Sequence, residues 1–260
     1  MELHFYKYQG AGNDFILLDN RLGRYNNLTT EQVAWLCDRH FGIGADGLML
    51  VNPAQGFDFE MKYYNSDGRE STMCGNGGRC IVAFARQLGL IGDHTHFVAV
   101  DGPHDAVIQP NGTVELRMKA VDQVIRHTDH TVLNTGSPHY VIFVEDVAAL
   151  DVKHDGAAIR YNDTYRQEGI NVNFVTRTPK GLKVRTYERG VEDETLSCGT
   201  GVTASAIASV NAFHEAHKVA ITTPGGNLTV RFTMTDDQHA QEVWLCGPAT
   251  FVFEGTIKLK

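Results

Sequence analysis

No apolar run in this sequence approaches the ~20 consecutive residues that a membrane-crossing helix needs. There is no basic cluster either. The 23 Lys and Arg stand against 31 Asp and Glu, a net charge of -8 at pH 7. That balance suits neither a nucleic-acid backbone nor an anionic membrane, so neither is expected as a partner. Residues 1–8 alternate in polarity, carry His4 and Lys7, and lack the apolar core of a signal peptide. Cysteine is sparse and odd in number, with five, at 37, 74, 80, 198 and 246. No C-x-x-C pair occurs among them, which fits a reduced, cytoplasmic setting better than a disulfide framework. The absence of close ligand spacings such as C-x-x-C or H-E-x-x-H weighs against a metal site. Its candidates would be Cys74, Cys198, Cys246 and some of the 12 histidines. No Pro- or Ser-rich linker divides the chain. The remainder is ordinary globular composition, 42% hydrophobic and 21% charged. At 260 residues it is enough for one large domain or two of about 125 residues.

One stretch is present twice. Tyr63 to Gly78 and Thr186 to Gly201 each carry a Tyr and a polar residue, a turn, and a Glu four places before Cys-Gly-x-Gly. Alternation at Phe57, Phe59, Met61 and Tyr63 predicts a half-buried strand that delivers Asn65. Leu182 to Tyr187 reads as its counterpart and delivers Glu188. Behind the first Cys, Gly78 to Leu88 reads as a helix stopped by Gly89. Residues Cys80 to Ala85 leave it no polar face, so it is expected to be buried. Val202 to Phe213, rich in Ala and apolar residues, is the second such helix. Short strands supply the wrapping: Leu3 and Phe5, Phe15–Leu18, Leu48–Asn52, Thr95–Val100, Asp105–Ile108 and Thr113–Met118 in the first half. Tyr140–Val144, Asn171–Thr176, Val219–Thr222, Leu228–Met234 and Val243–Leu245 follow in the second, and Thr250–Leu259 comes last. Thr29 with Gln32 is a capping-box signal for a helix running to about His40. The recurrence of strand, Glu, Cys-Gly-x-Gly and buried helix in one order points to an internal duplication.

A Cys just before a buried helix sits at the positive end of the helix dipole, which favours its thiolate. First-turn N–H groups lack intrahelical acceptors, and the glycines at 75, 77, 199 and 201 let an anion approach them. Two such starts facing each other across one small substrate suit inversion of a carbon next to a carboxylate. One thiolate takes the proton, and the other thiol returns one on the opposite face. The developing charge must then be held by preorganised donors in a water-excluded cleft. Taken singly, a free Cys is more often a small buried hydrophobe, which is the reading for Cys37, Cys80 and Cys246. A binding or redox module with Cys74 and Cys198 as a disulfide switch is the non-catalytic alternative. Glu188, Asn65 and His139, in the Gly-Ser-Pro-His turn, cluster at the same loops as the two thiols. Asn13 and Asn171 are weaker candidates, because Asn is common in turns.

These residues resemble those of the diaminopimelate epimerases. The motifs are Gly-Ala-Gly-Asn-Asp-Phe (10–15), Gly-Ile-Gly-Ala-Asp-Gly (42–47), Asn-Ser-Asp-Gly (65–68), Met-Cys-Gly-Asn-Gly-Gly-Arg-Cys (73–80), Gly-Ser-Pro-His (136–139), Tyr-Glu-Arg-Gly (187–190) and Ser-Cys-Gly-Thr-Gly (197–201). The resemblance implies an α+β fold of two pseudo-symmetric domains, each a mixed sheet curled around a central buried helix. The first would span 1–119 with the C-terminal strand 250–260, and the second 120–249. It implies Cys74 and Cys198 as the acid/base pair, with His139 and Glu188 positioning the reacting centre and tuning the thiols. Asn13, Asn65, Asn171, Glu188 and Arg189 would hold the substrate's amino and carboxylate groups. Gly75-Asn76 and Gly199-Thr200 would bind the reacting carboxylate through backbone N–H. The implied reaction is cofactor-independent and metal-free: LL-2,6-diaminoheptanedioate becomes the meso form, in lysine and peptidoglycan synthesis, on a homodimer. The chain departs from the family pattern at Ser137, where many members have Asn, at Gly47, where many have Gln, and at Ser197, where Ala is common. The sibling proline racemases and hydroxyproline epimerases usually have His at the place of Asn76. Arg189, whose fork matches a carboxylate, is the expected grip on a second charged end.

Overall fold

The computed structural model describes residues 2–259; Met1 and Lys260, the outer limits of the expected first domain, lie outside the described residues. The chain forms two compact units, Met1–Leu116 with Pro248–Lys260, and Arg117–Gly247.

In the first unit, β1 (Glu2–Gly10) and β2 (Asn13–Asp19) form an antiparallel hairpin. Its turn rests on Ala11 and Gly12, both at left-handed φ (53° and 82°), the twist that a tight two-residue turn requires. After α1 (Thr30–Cys37), β3 (Gly47–Asn52) joins β2 in parallel, and β4 (Glu60–Asn65) runs antiparallel to β3. The short β5 (Glu70–Ser71) folds back on β4 and leads to α2 (Gly75–Gln87). Then β6 (His94–Ala99) joins β4 in parallel, followed by β7 (Gly102–Ile108) and β8 (Val114–Arg117), each antiparallel to its predecessor. Alternation gives this sheet two apolar faces. Ile16, Leu18, Leu48 and Leu50 cluster with Val33 and Leu36 of α1 on one side. Phe15 and Met49 turn to the other and lie against Gly77 of α2.

The second unit consists of β9 (Val124–Arg126), β10 (His130–Asn134), β11 (Pro138–Phe143), α3 (Val152–Arg160), β12 (Asn171–Thr178), β13 (Gly181–Glu188), β14 (Asp193–Thr195), α4 (Gly199–Ala208), β15 (Glu215–Thr223), β16 (Gly226–Met234) and β17 (Ala240–Gly247). Its hydrogen-bonding pattern repeats that of the first. β10–β11 is antiparallel, β11–β12 parallel, β12–β13 antiparallel, and β14 folds back on β13. β13–β15 is parallel, and β15–β16–β17 is an antiparallel meander. α2 packs against β1, β2, β3 and β7; α4 packs against β10 through β13 and β15 through β17. The last strand, β18 (Thr250–Lys258), pairs antiparallel with β1 along nearly its whole length. The mixed α+β class and the central buried helix are as the sequence indicates.

Several boundaries differ from the sequence expectation. Both central helices begin three residues earlier than read, directly after the cysteines. α4 stops at Ala208 rather than Phe213: Ser209 caps it, its hydroxyl donating to Ala206 O at 2.7 Å. α1 ends at Cys37 rather than His40, because Asp38 turns extended and its carboxylate accepts from the N–H groups of His40 and Phe41. The strand expected from Phe57 begins at Glu60. Asp58 is diverted, its carboxylate accepting from Thr95 Oγ1 and His96 N–H, both at 2.8 Å.

Candidate active site

In the first unit Cys74 is the N-cap of α2, in extended backbone (φ -96°, ψ 133°), and its side chain does not cap the helix. The thiol is half-buried and donates toward Asn13 Oδ1 at 3.7 Å. Asn13 opens β2, so the β1–β2 turn carries it to the start of α2. Its amide nitrogen donates to Asp46 Oδ2, and its oxygen also accepts from Asn76 Nδ2 at 3.5 Å. Asn76 Oδ1 in turn accepts from Arg79, which is fully buried. That guanidinium also donates to the carbonyls of Gly75 and Pro248. Behind Asn13, Arg39 bridges Asp14 and Asp46, and Lys7 pairs with Asp14 at 2.7 Å. Burial pushes the Asp14 carboxyl up, but the hydrogen bonds from Arg39 and Lys7 outweigh it and hold the group below the usual carboxylate range. Asn65 ends β4 opposite Gly47, at the edge of the sheet where β2 begins, and is exposed.

In the second unit Cys198 is the N-cap of α4, again extended (φ -109°, ψ 112°) and again not capping with its side chain. Its Sγ lies 3.4 Å from Thr200 Oγ1. Thr135 Oγ1 donates to Thr200 O at 2.8 Å, tying the helix start to the β10–β11 turn. His139 is fully buried on β11. Burial, with the charge of Arg189 adding to it, lowers its pKa from the ordinary 6.5 to about 3, so the ring is neutral. Asn173 fixes its tautomer. The amide nitrogen donates to Tyr140 O at 3.1 Å and to His139 Nδ1 at 3.0 Å, while its oxygen accepts from Thr186 Oγ1. His139 therefore carries its proton on Nε2, which is buried and has no hydrogen-bond partner among the described residues. Glu188, at the end of β13, accepts from Thr195 Oγ1 at 2.9 Å. Asn171 donates to Ser137 Oγ and Pro138 O and accepts from the Arg189 N–H. The Arg189 side chain donates to Glu168 O at 2.9 Å and toward Ser137 Oγ at 3.4 Å.

Within each unit the sequence-selected residues thus gather at a helix start: Asn13, Gly75 and Asn76 with Cys74; Gly199 and Thr200 with Cys198. His139, Asn171, Glu188 and Arg189 lie on neighbouring strand ends of the second unit. Sequence reasoning missed Asp46, Arg79, Asn173 and Thr186. Asn173 had a signal, an Asn in phase with Asn171 inside an otherwise apolar strand. Arg79 sat beside an apolar run. The other cysteines behave as buried hydrophobes. Burial pushes the thiols of Cys37 and Cys80 up to about 12, and Cys246 is buried in β17.

The profile of the diaminopimelate epimerase family matches residues 5–129 and 131–252. The chain is 52% identical to a diaminopimelate epimerase of Flavobacterium psychrophilum over 98% of this chain and all of that protein. It is 43% identical to one of Chlorobaculum tepidum, over 96% and 99% of the two chains. The chain belongs to the diaminopimelate epimerase family. It is accordingly an isomerase, of the epimerase type. Among solved structures, a Bacillus anthracis phenazine biosynthesis protein of the PhzF family matches all of both chains with a TM-score of 0.76 at 14% identity. A hydroxyproline epimerase from Agrobacterium vitis matches 98% of this chain and 92% of its own with a TM-score of 0.69, also at 14% identity. These two likenesses concern the fold.

Gly47, Ser137 and Ser197, where the resemblance sets this chain apart, sit in defined surroundings, and burial gives no reason for the serine at 197. A Cβ at Gly47 would lie 2.5 Å from the Tyr63 ring and 2.6 Å from Tyr64 O, so this backbone has no room for a side chain there. Ser137 is short, and its hydroxyl gathers Asn171 and Arg189 at one point. Ser197 is buried beside Cys198.

Proposed function

We propose that this chain epimerises LL-2,6-diaminoheptanedioate at one α-carbon to the meso form, in lysine and peptidoglycan synthesis, with Cys74 and Cys198 as the two acid/base groups. The observation that carries the reading is the repeated helix start. Each thiol belongs to an N-cap residue in extended backbone, its side chain left out of the cap, with Gly-x-Gly behind it. The positive helix end favours thiolate, and bare first-turn N–H groups suit a carboxylate. In the forward direction one thiolate removes the α-proton and the other thiol delivers its own proton to the opposite face. The enzyme is left with the protons exchanged between the two sulfurs. The reacting carboxylate is held by the N–H groups of Gly75-Asn76 and Gly199-Thr200, which also stabilise the developing negative charge. No electron-sink cofactor and no metal enters this scheme.

The neutral His139, with its unpartnered Nε2–H, and Glu188 position the reacting centre. Asn13, Asn65, Asn171 and Arg189 hold the substrate's polar ends. The assembly is a cytoplasmic homodimer in this reading, which sedimentation of the purified protein tests. The activity test is chiral chromatography of diaminopimelate isomers after incubation with protein and no added cofactor. Interconversion of LL and meso forms is expected, with Cys74→Ala and Cys198→Ala each losing it. Inversion retained in either variant sinks the two-thiol scheme. Turnover of proline or hydroxyproline in place of diaminopimelate sinks the substrate assignment.

A further inference from the structure

We infer that Asp46 is a positioning residue: it fixes the Asn13 amide with its oxygen toward Cys74, where it accepts from S–H and so opposes the pull of the helix end toward thiolate. An amide can turn end over end, and its two ends act oppositely on a sulfur. The oxygen accepts from S–H and disfavours S⁻, whereas the NH₂ donates to S⁻. Here both ends of the amide chain are fixed by charge. At one end Asp46 can only accept, so Asn13 Nδ2 must face it. The Asp46 carboxylate is itself seated by Arg39 Nη2 at 2.8 Å and by the Asp14 N–H at 3.2 Å. At the other end the buried Arg79 can only donate, so it claims Asn76 Oδ1 at 2.9 Å. That leaves Asn76 Nδ2 to donate to Asn13 Oδ1. Both constraints give one answer, with the Asn13 oxygen turned to Cys74. In the second unit the corresponding thiol, Cys198, meets a hydroxyl instead, Thr200 Oγ1, which can donate or accept. The duplicated helix starts therefore differ in a neighbour of the thiol: an amide oxygen that can only accept beside Cys74, a hydroxyl that can do either beside Cys198.

Among the described residues, the charged groups next to Asn13, Asn76 and Met73 have partners. Lys7, Asp14 and Arg39 are paired with one another and with Asp46. Arg79 is engaged by Gly75 O, Asn76 Oδ1 and Pro248 O. Asp101 accepts from the Met73 N–H and pairs with His104, and Cys80 behind Cys74 is a buried thiol held protonated. The inference rests on the proposed role of Cys74, but its test does not use turnover. The full-length protein is labelled with iodoacetamide at a series of pH values, and modification of Cys74 is followed by peptide mass spectrometry. Asp46→Asn and Asn13→Ala are each expected to raise the Cys74 labelling rate at pH 7 on the order of tenfold, by freeing the thiolate. Adding Asp46→Asn to Asn13→Ala is expected to add less than about twofold, because Asp46 acts through Asn13. Unchanged labelling in either single variant overturns the inference. So does a full additive gain in the double variant, which means that Asp46 acts through its charge alone. Should Asp46→Asn not fold, Asn13→Ala still decides, since an unchanged Cys74 rate shows that the Asn13 oxygen does not hold the thiol. Failure to turn over diaminopimelate overturns the functional reading and leaves the labelling result standing.

Discussion

His139 is a neutral ring in the folded chain and an ordinary base titrating near 6.5 in the unfolded one. Below pH 6.5 the unfolded state takes up a proton that the folded state refuses until about pH 3, so stability is lost as pH falls through that window. The slope for one group is about 1.4 kcal/mol per pH unit. Denaturant unfolding at pH 7, 6, 5 and 4 is expected to show this loss in the wild type and a shallower one in His139→Gln. Equal slopes would mean that His139 is not held neutral. Arg189 is the residue-scale test of substrate recognition. Its guanidinium is steered by Glu168 O and Ser137 Oγ, and among the described residues no carboxylate pairs with it, which suits the proposed grip on a ligand's charge. Arg189→Ala is expected to raise KM for diaminopimelate by tenfold or more, roughly the 1.5–3 kcal/mol of a charged hydrogen bond. Steady-state kinetics that show kcat falling with KM unchanged would assign Arg189 another role.

The helices test how much of the elements the sequence carries. Thr29→Ala removes a complete capping box, in which Thr29 Oγ1 accepts from Gln32 N–H and Gln32 Oε1 from Thr29 N–H. It is expected to cost about 1 kcal/mol by denaturant unfolding. Gly201→Ala opposes two effects. Ala gains up to about 1 kcal/mol in helix propensity. Its Cβ would lie 2.3 Å from Asn173 Oδ1, which Thr186 holds in place, and such overpacking costs about 1–3 kcal/mol. Net destabilisation is expected, and a stabilised variant would show that Asn173 can move. The capping box was legible because it is local chemistry. The true starts of α2 and α4 were not, because glycines discount a helix by propensity while packing asks for them. A Cβ at Gly78 would lie 2.8 Å from Leu116. α3 escaped notice because it carries few large apolar residues: Val152 and Gly156 are buried, and Ala157 and Ile159 pack partly buried against the same core. The parallel pairing of β11 with β12 explains it, since parallel neighbours need a crossover and a helix commonly supplies one.

At the scale of the molecule the duplication is the most legible property and also the one with the most chemical content. Two stretches of similar sequence gave two helix starts with a cysteine N-cap apiece, and the strand pairings around them recur in the same order. The sequence could not show the polar scaffolds behind them, because those depend on partners far apart in the chain: Asp46 with Asn13, Asn173 with His139. These scaffolds differ between the units, with a charge-fixed amide chain behind Cys74, a threonine hydroxyl beside Cys198, and a neutral histidine on β11 of the second unit. Symmetric thiols suit an inversion, and asymmetric neighbours suit a substrate approached from two unlike sides. The central claim is that two different groups serve the two faces of the α-carbon. The most direct measurement is the deuterium content of both diaminopimelate isomers early in the reaction of the LL isomer in D₂O. Two thiols require one solvent deuterium at the inverted α-carbon of the first meso product, with recovered LL substrate unlabelled. Meso product that keeps the original α-proton would contradict the scheme, because a single base would then have carried that proton from one face to the other.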